Sequence, residues 1–274
     1  MTASLDQARA LATAADHQLA ATLAEQSAAL LRALRAVDGR DPDALRKEGD
    51  RRSHELLVTE LATRRPGDAV LSEEGADSPD RLAARRVWIV DPLDGTREFG
   101  EPPRVDWAVH VALVIDGFPV VGAVALPALD EVWSTAPGAA PAPVPVTRGA
   151  GTPPRLAVSR TRPGSSASVI RERLGGELVP LGSAGFKALA VIRGVADVYA
   201  HSGGQYEWDS AAPVAVALAH GLHASRLDGS PLRYNNASPY LPDLLIAHPA
   251  WARPVLQAVA DGEPQPTVRP ADRK

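Results

Sequence analysis

The chain has 274 residues, of which 45% are apolar and 23% charged, with a formal net charge of −4. That is ordinary globular composition, long enough for one large core or two small ones, and the mixed charge gives no general electrostatic case for nucleic acid or an anionic membrane. There is no cysteine, which excludes disulfides, thiolate zinc sites, iron–sulfur clusters and a cysteine nucleophile, and fits a reducing cytoplasmic setting. The start, "MTASLDQARALATAADHQLA", lacks the basic head and continuous apolar core of a signal peptide. No apolar run reaches the length of a bilayer span. The expectation is a soluble, cytoplasmic protein without a membrane or nucleic-acid partner.

Residues 4–37 carry alanine and leucine at helical spacing, with Leu19, Leu23, Leu30, Leu31 and Leu34 able to share a face. "DGRDPD" at 38–43 reads as a break, and a second helix is expected from about Arg51 to Thr63, before "RRPGD". "DAVLS" and "RVWIV" read as short strands. "WAVHVALVI", "FPVVGAVAL" and "DEVWS" read as an antiparallel meander, its first hairpin marked by Asp116-Gly117. The proline- and glycine-rich segment 136–154 reads as a long loop or linker. Beyond it, strands ("RLAVS", "LVPLG", "ADVYAH", "HASRL") alternate with helices ("SSASVIRERL", "FKALAVIRG", "SAAPVAVALAHG"), and "PAWARPVLQAVA" closes as a helix. The pattern predicts an α+β fold, a mixed-sheet sandwich with helices between and outside the sheets. Residues 1–137 form its N-terminal half with the meander, and 138–274 an α/β half that completes the site, in one compact unit.

"VWIVDPLDGTREFG" at 87–100 poses the chemical question. An apolar strand runs into Asp91 and Asp94, and paired like charges in a packed region are costly unless a cation joins them. Aspartate, proline and glycine also simply favour turns. Here, however, Thr96 follows Gly95 at a predicted helix start, where free N–H groups suit an anion. "LSEEG" places Glu73 and Glu74 at a second strand end, and Asp209 in "YEWDSAA" precedes a helix that it could also merely cap. Clustered hard carboxylates suit magnesium, which fills its remaining positions with water and phosphate oxygens. Two such ions about 3.5–4 Å apart can activate a water and stabilise the leaving oxygen of a phosphate ester, with Asp91 placed to bridge them.

"LSEEG", "WIVDPLDGTREF" and "WDSAA", in this order, resemble the lithium-sensitive inositol monophosphatase superfamily of magnesium-dependent phosphatases, over most of residues 45–246. "DPLDGTREF", "VSRTR", "LGSAGFKALAVIRGVADVY" and "LDGSPLRYN" are similar to its CysQ-type 3′(2′),5′-bisphosphate nucleotidases, with an actinobacterial texture. The resemblance implies a layered αβαβα sandwich of the sugar-phosphatase type and two or three Mg²⁺ ions. It implies Glu73, Asp91 and the Leu93 carbonyl at one ion, and Asp91, Asp94 and Asp209 at a second, with Glu73 near a weaker third. Backbone donors of Gly95 and Thr96 would hold the scissile phosphate, and the Thr96 hydroxyl would orient the attacking water. The family's T-x-A-D aspartate, which helps take that water's proton, falls at Asp50, but the flank here is "KEGDRRS". Asp50 reads equally well as the N-cap of the following helix.

The implied reaction is hydrolysis of the 3′-phosphate of adenosine 3′,5′-bisphosphate, or of its sulfated relative, in sulfate assimilation. For the remainder of such a nucleotide the candidates are Ser159, Arg160, Arg162, Ser183, Lys187 and His201; the serine-to-lysine spacing of "GSAGFK" is one longer than in related nucleotidases. Each basic group also fits a solvated surface charge, and His201 an ordinary structural histidine. The same metal core would serve an inositol monophosphatase or fructose-1,6-bisphosphatase. A non-catalytic metal- and nucleotide-binding protein is the rival of another class, disfavoured because Thr96 is present. A homodimer stays open. There is no G-x-x-x-x-G-K-[ST] loop, no H-E-x-x-H and no G-x-S-x-G.

Overall fold

A computed structural model describes residues 4–37, 39–138, 152–161 and 163–262. Two helices, α1 (Leu5–Arg9) and α2 (Ala14–Arg35), replace the single one expected over 4–37. Thr13 divides them. Its backbone is extended, its hydroxyl accepts from Asp16 N–H, and the Asp16 carboxylate accepts from Thr13 N–H, a capping box that starts a new helix. Helix α3 (Pro42–Arg64) begins well before the expected Arg51, because Asp41 caps it and Pro42 fits its first turn. "DGRDPD" is thus a helix start as well as a break. Asp50 accordingly lies inside α3 and caps nothing, which corrects its N-cap reading.

The first sheet has the order β1 (Ala69–Ser72), β2 (Arg86–Asp94), β3 (Ala108–Ile115), β4 (Phe118–Leu126), β5 (Glu131–Ser134). β1 and β2 are parallel and the rest antiparallel. The β3–β4 hairpin turns on Asp116 and Gly117, both at positive φ, as the sequence predicts. A four-residue helix, α4 (Thr96–Phe99), follows β2.

The second sheet has the order β7 (Glu177–Leu181), β6 (Arg155–Ser159), β8 (Val198–Tyr206), β10 (Tyr240–Ala247), β9 (His223–Ser225). β10 is absent from the sequence expectations. Pro242 makes its segment look unlike a strand, and the structure accommodates it at an irregularity between Leu241 and Asp243 in the pairing with β8. The remaining helices are α5 (Ser165–Leu174), α6 (Ala184–Ile192), α7 (Glu207–Ala219) and α8 (Pro249–Gly262).

Five layers result. α2 and α3 cover the outer face of the first sheet, α6 and α7 lie between the sheets, and α5 and α8 cover the far face of the second. This is the αβαβα sandwich expected. Strand β2 explains its own sequence: Trp88 and Val90 pack against α2 and α3, while Val87 and Ile89 face the middle layer. A strand covered on both sides has no polar face, hence the unbroken "VWIV". At its start Arg86 joins Asp68 and Asp16, and Arg65 reaches the same Asp16. Burial opposes ionisation of Asp16, but the Thr13 N–H, Arg65 and Arg86 win and lower its pKa to about 2. Among the described residues no helix is long and apolar enough to cross a membrane.

Candidate active site

Helix α3 sets the floor of the site. Asp50, Ser53 and His54 stand at i, i+3 and i+4, one face of a helix. His54 Nδ1 meets Ser72 Oγ at 2.9 Å at the end of β1. Ser53 donates to the Pro92 carbonyl at 2.6 Å near the end of β2, with Ser27 of α2 behind it at 2.5 Å. One helix thereby fixes the ends of two parallel strands. Glu73 leaves the first end and Asp91 and Asp94 the second. Asp50 lies beside Thr96, whose hydroxyl is 3.3 Å from Asp50 Oδ1 and 3.0 Å from the Leu93 carbonyl.

The acids crowd one another. Asp91 is fully buried, and loss of water, reinforced by Glu73, Asp94 and Asp209, pushes its carboxyl well above the usual range. Burial, then Asp209, raises Glu73 to about 7, against a hydrogen bond with Asp91. Asp209 sits in the first turn of α7, where it accepts from Tyr206 N–H at 2.6 Å; burial, then Asp94, raises it to about 6. Asp50 is raised to about 7 by burial and then by Glu74. These shifts describe a negative pocket short of positive charge.

Asp94 is the exception, and sequence reasoning missed why. Its carboxylate accepts from Ser183 Oγ (2.6 Å), Ala184 N–H (3.0 Å) and Gly185 N–H (2.6 Å) at the start of α6. His110, buried on β3, brings Nε2 to 3.1 Å from Asp94 Oδ2 and Nδ1 to 3.0 Å from the Trp208 carbonyl. Nε2 makes no aligned hydrogen bond despite this closeness, and the Asp94 carboxylate acts on the ring chiefly through its charge. Burial lowers its pKa, but Asp94 more than compensates and the net direction is upward. For Asp94 burial is likewise outweighed, chiefly by His110, and its pKa falls to about 2. Ligand atoms of Asp91, Asp94 and His110 lie within 4.8 Å of one another. The raised pKa of His110 favours its charged form, a counter-charge to Asp94. Two donors meet Asp94 Oδ2, with the His110 ring 3.1 Å away, and one meets Oδ1, which is the less crowded oxygen. A lone histidine in an apolar strand carries no periodic signal, so nothing in the sequence singled it out.

Two glycines permit this closeness. Gly95 has φ +85°, which an L side chain adopts only with strain. A Cβ on Gly185 would sit 2.0 Å from His110 Nε2, so α6 can press its first turn onto the imidazolium only with glycine there.

The other candidates flank Asp94 and Lys187. The Ser183 hydroxyl gives its proton to Asp94 and accepts from Phe186 N–H. Lys187 is buried, and its ammonium donates to the Gly182 and Ser183 carbonyls, each at 2.5 Å. A cavity of about 520 Å³ opens beside Asp94 and Gly95, with Arg97, Glu98 and Arg160 on its wall. Arg160 is drawn onto Glu98 (2.6 Å) and Glu101 (3.3 Å). A second cavity of about 370 Å³ lies beside β8, where His201 and Asp209 line it, and Ser159 and Lys187 border both. Arg162 falls outside the described residues.

Known proteins of similar sequence and shape place this geometry in context. The chain matches the inositol monophosphatase family over residues 5–260. It is 53% identical over 242 residues to the 3′-phosphoadenosine 5′-phosphate phosphatase of Mycobacterium tuberculosis, spanning 85% of this chain and 88% of that one. Against the protein of the same name in Mycobacterium leprae it is 50% identical over 268 residues, spanning 94% and 97%. Among solved structures it is similar to CysQ from Bacteroides thetaiotaomicron, with a TM-score of 0.75, 25% identity, and coverage of 87% of this chain and 98% of that one. With a family match over nearly the whole chain and relatives at 50–53% identity, the chain belongs to the inositol monophosphatase family.

Proposed function

We propose that this protein is a magnesium-dependent phosphomonoesterase that removes the 3′-phosphate of adenosine 3′,5′-bisphosphate. The observation that carries the chemistry is the meeting of Glu73, Asp91, Asp94 and Asp209 with the Thr96–Asp50 pair. The names of the mycobacterial relatives at 50–53% identity support the substrate.

The donors fit magnesium: carboxylates and one backbone carbonyl, hard oxygens with excess negative charge. Glu73, Asp91 and the Leu93 carbonyl would hold one ion, and Asp91, Asp94 Oδ1 and Asp209 another. When bound, magnesium lowers the pKa of water and stabilises the departing oxygen. Gly95 and Thr96 would seat the scissile phosphate with their backbone donors. The Thr96 hydroxyl has one proton and two acceptors, Asp50 and the Leu93 carbonyl. It can bond both only when Asp50 supplies a proton of its own. Asp50, raised to about 7, exchanges a proton near neutral pH, which suits a general base acting through or beside Thr96. In the reaction the water oxygen bonds to phosphorus as the bond from phosphorus to the ribose 3′ oxygen breaks. The water's proton passes toward Asp50, the departing ribose 3′ oxygen takes up a proton from solvent, and no covalent intermediate with the enzyme forms.

The deciding experiment is phosphate release from adenosine 3′,5′-bisphosphate, inositol 1-phosphate and fructose 1,6-bisphosphate, side by side, with and without magnesium. The expected outcome is magnesium-dependent release that strongly favours the nucleotide. Preference for a sugar phosphate would retain the metal chemistry and discard the nucleotide assignment. No release from any ester would leave only a binding protein.

The crowded acids also set how metal-free protein responds to pH. Asp209, raised to about 6, and Glu73 and Asp50, raised to about 7, bind more protons folded than unfolded between roughly pH 4 and 7. Stability therefore falls as pH rises through that window. Thermal melts in a chelator should shift downward from pH 5.5 to 8, and excess magnesium should flatten the slope. A chelated protein equally stable at both pH values would contradict the crowding.

A further inference from the structure

The acids of the site come from both halves of the chain. Glu73 lies on the segment that follows β1, and Asp209 lies in the first turn of α7. Both are carboxylates in a crowded acidic pocket, so like charge drives their elements apart wherever no cation joins them. A chain of contacts outside the acid cluster spans the same two elements.

Arg81 is the middle of that chain. It sits in a 3₁₀ turn at Pro79–Ala83 and is buried although charged. Its Nε and Nη2 grip the carboxylate of Asp77, on the segment just beyond Glu73, at 2.6 and 2.8 Å. Its Nη1 donates to the Asn235 side-chain oxygen at 2.8 Å and to the Asn236 carbonyl at 3.0 Å. The Asn235 amide returns a bond to the Arg81 carbonyl at 2.9 Å. Asn235 and Asn236 in turn give their backbone N–H groups to the Glu207 carboxylate, at 2.6 and 2.8 Å, and Asn236 Nδ2 adds a bond at 2.7 Å. Asn235 has φ +62°, a left-handed conformation that lets successive N–H groups converge on one carboxylate. Glu207 is fully buried and opens α7, in the same turn as Asp209.

On the reading that Glu73 and Asp209 hold magnesium, we propose that Arg81 is a positioning residue for the metal site, tying the segment that carries Glu73 to the helix start that carries Asp209. It acts through Asp77 on one side and through Asn235, Asn236 and Glu207 on the other, and not on the ion itself. A buried polar network whose members satisfy one another holds one arrangement. Mutually repelling ligands require that before an ion binds. Outer contacts of this kind are worth about 10–100-fold in metal affinity.

The test loosens Arg81 at each end and leaves its guanidinium in place. Asp77→Ala frees the Glu73 segment, and the Asp77 side chain is 41% exposed, so the change opens no cavity in the core. Asn235→Gly keeps the positive φ and the backbone bond to Glu207 but removes both side-chain bonds to Arg81. Magnesium binding is read by titration calorimetry and by melting temperature against magnesium concentration, and turnover of adenosine 3′,5′-bisphosphate by steady-state kinetics. Each single variant should weaken magnesium binding roughly tenfold, with kcat at saturating magnesium returning to near the wild-type value. The double variant should bind no more weakly than the weaker single one, since both changes cut the same chain of contacts. Wild-type magnesium affinity in both single variants, even with a lower melting temperature, makes the network structural only and overturns the proposal. Effects that multiply in the double variant also overturn it, because the two ends then act separately. Should Asp77→Ala fail to fold, Asp77→Asn, which keeps one acceptor for Arg81, takes its place in the same cycle. Failure of the underlying reading looks different: neither the melt nor the turnover of the wild type responds to magnesium.

Discussion

Asp91→Asn is expected to lower magnesium-dependent turnover by about 10²–10³-fold, the scale of losing one electrostatic stabiliser of a reacting phosphate. The same substitution should raise the melting temperature of metal-free protein. Asp91 is buried against Glu73, with Asp94 and Asp209 adding like charge, so a neutral amide relieves repulsion that the metal would otherwise relieve. The two effects have opposite signs, which separates a metal-bridging role from a structural one. Steady-state turnover against magnesium concentration and melts with and without a chelator measure both. Turnover within tenfold of wild type would remove Asp91 from the centre of the mechanism. A metal-free melt that drops sharply would mean that Asp91 holds the fold rather than the ion.

His110→Ala should destabilise the protein by about 3 kcal/mol, the lower end of the cost of stripping a buried charge of its partner. Asp94 keeps its three donors from the start of α6, which limits the loss. His110→Asn restores a donor without the charge and should recover part of it. Urea unfolding of the three proteins gives the comparison. If His110→Ala unfolds at the wild-type midpoint, the imidazolium is not what neutralises Asp94. On the proposed reading Asp94 has two counter-charges, the histidine supplied by the fold and the magnesium it shares with Asp91, while Asp91 has magnesium alone.

The first sheet was legible because its strands are short, apolar and joined by recognisable turns. Asp116-Gly117 gave a hairpin at the expected place, and "VWIV" read as a buried strand because α2, α3 and the middle helices cover both its faces. The start of α3 was not, because Asp41-Pro42 signals a helix N-terminus and a chain break with the same residues. That error carried Asp50 from the interior of α3 to a supposed cap. β10 escaped because Pro242 argues against a strand until a pairing irregularity accommodates it. At the site, Asp91, Asp94, Glu73, Asp209 and Thr96 were legible by motif, since carboxylates at strand ends need a chemical reason. His110 was not, because it matters only through neighbours distant in sequence, Asp94 and Trp208. The commitment of Ser183 to Asp94 and of Lys187 to two carbonyls was likewise invisible, since a sequence does not say where a side chain spends its donors.

The site draws on α3, the end of β1, the end of β2 and the first turn of α7, in both halves of the chain. Asp50 and Asp209 bracket Glu73, Asp91, Asp94 and Thr96, so no short fragment carries the set. On the proposed reading, cation affinity is therefore a property of the completed fold and includes the free energy of seating α7 against the first sheet. Packing defects remote from any carboxylate, such as a cavity opened between α7 and β4, would then surface as a weakened requirement-curve for magnesium, and generous metal would mask them. A variant that looks like a poor metal binder in dilute magnesium can be, in cause, a poorly docked helix.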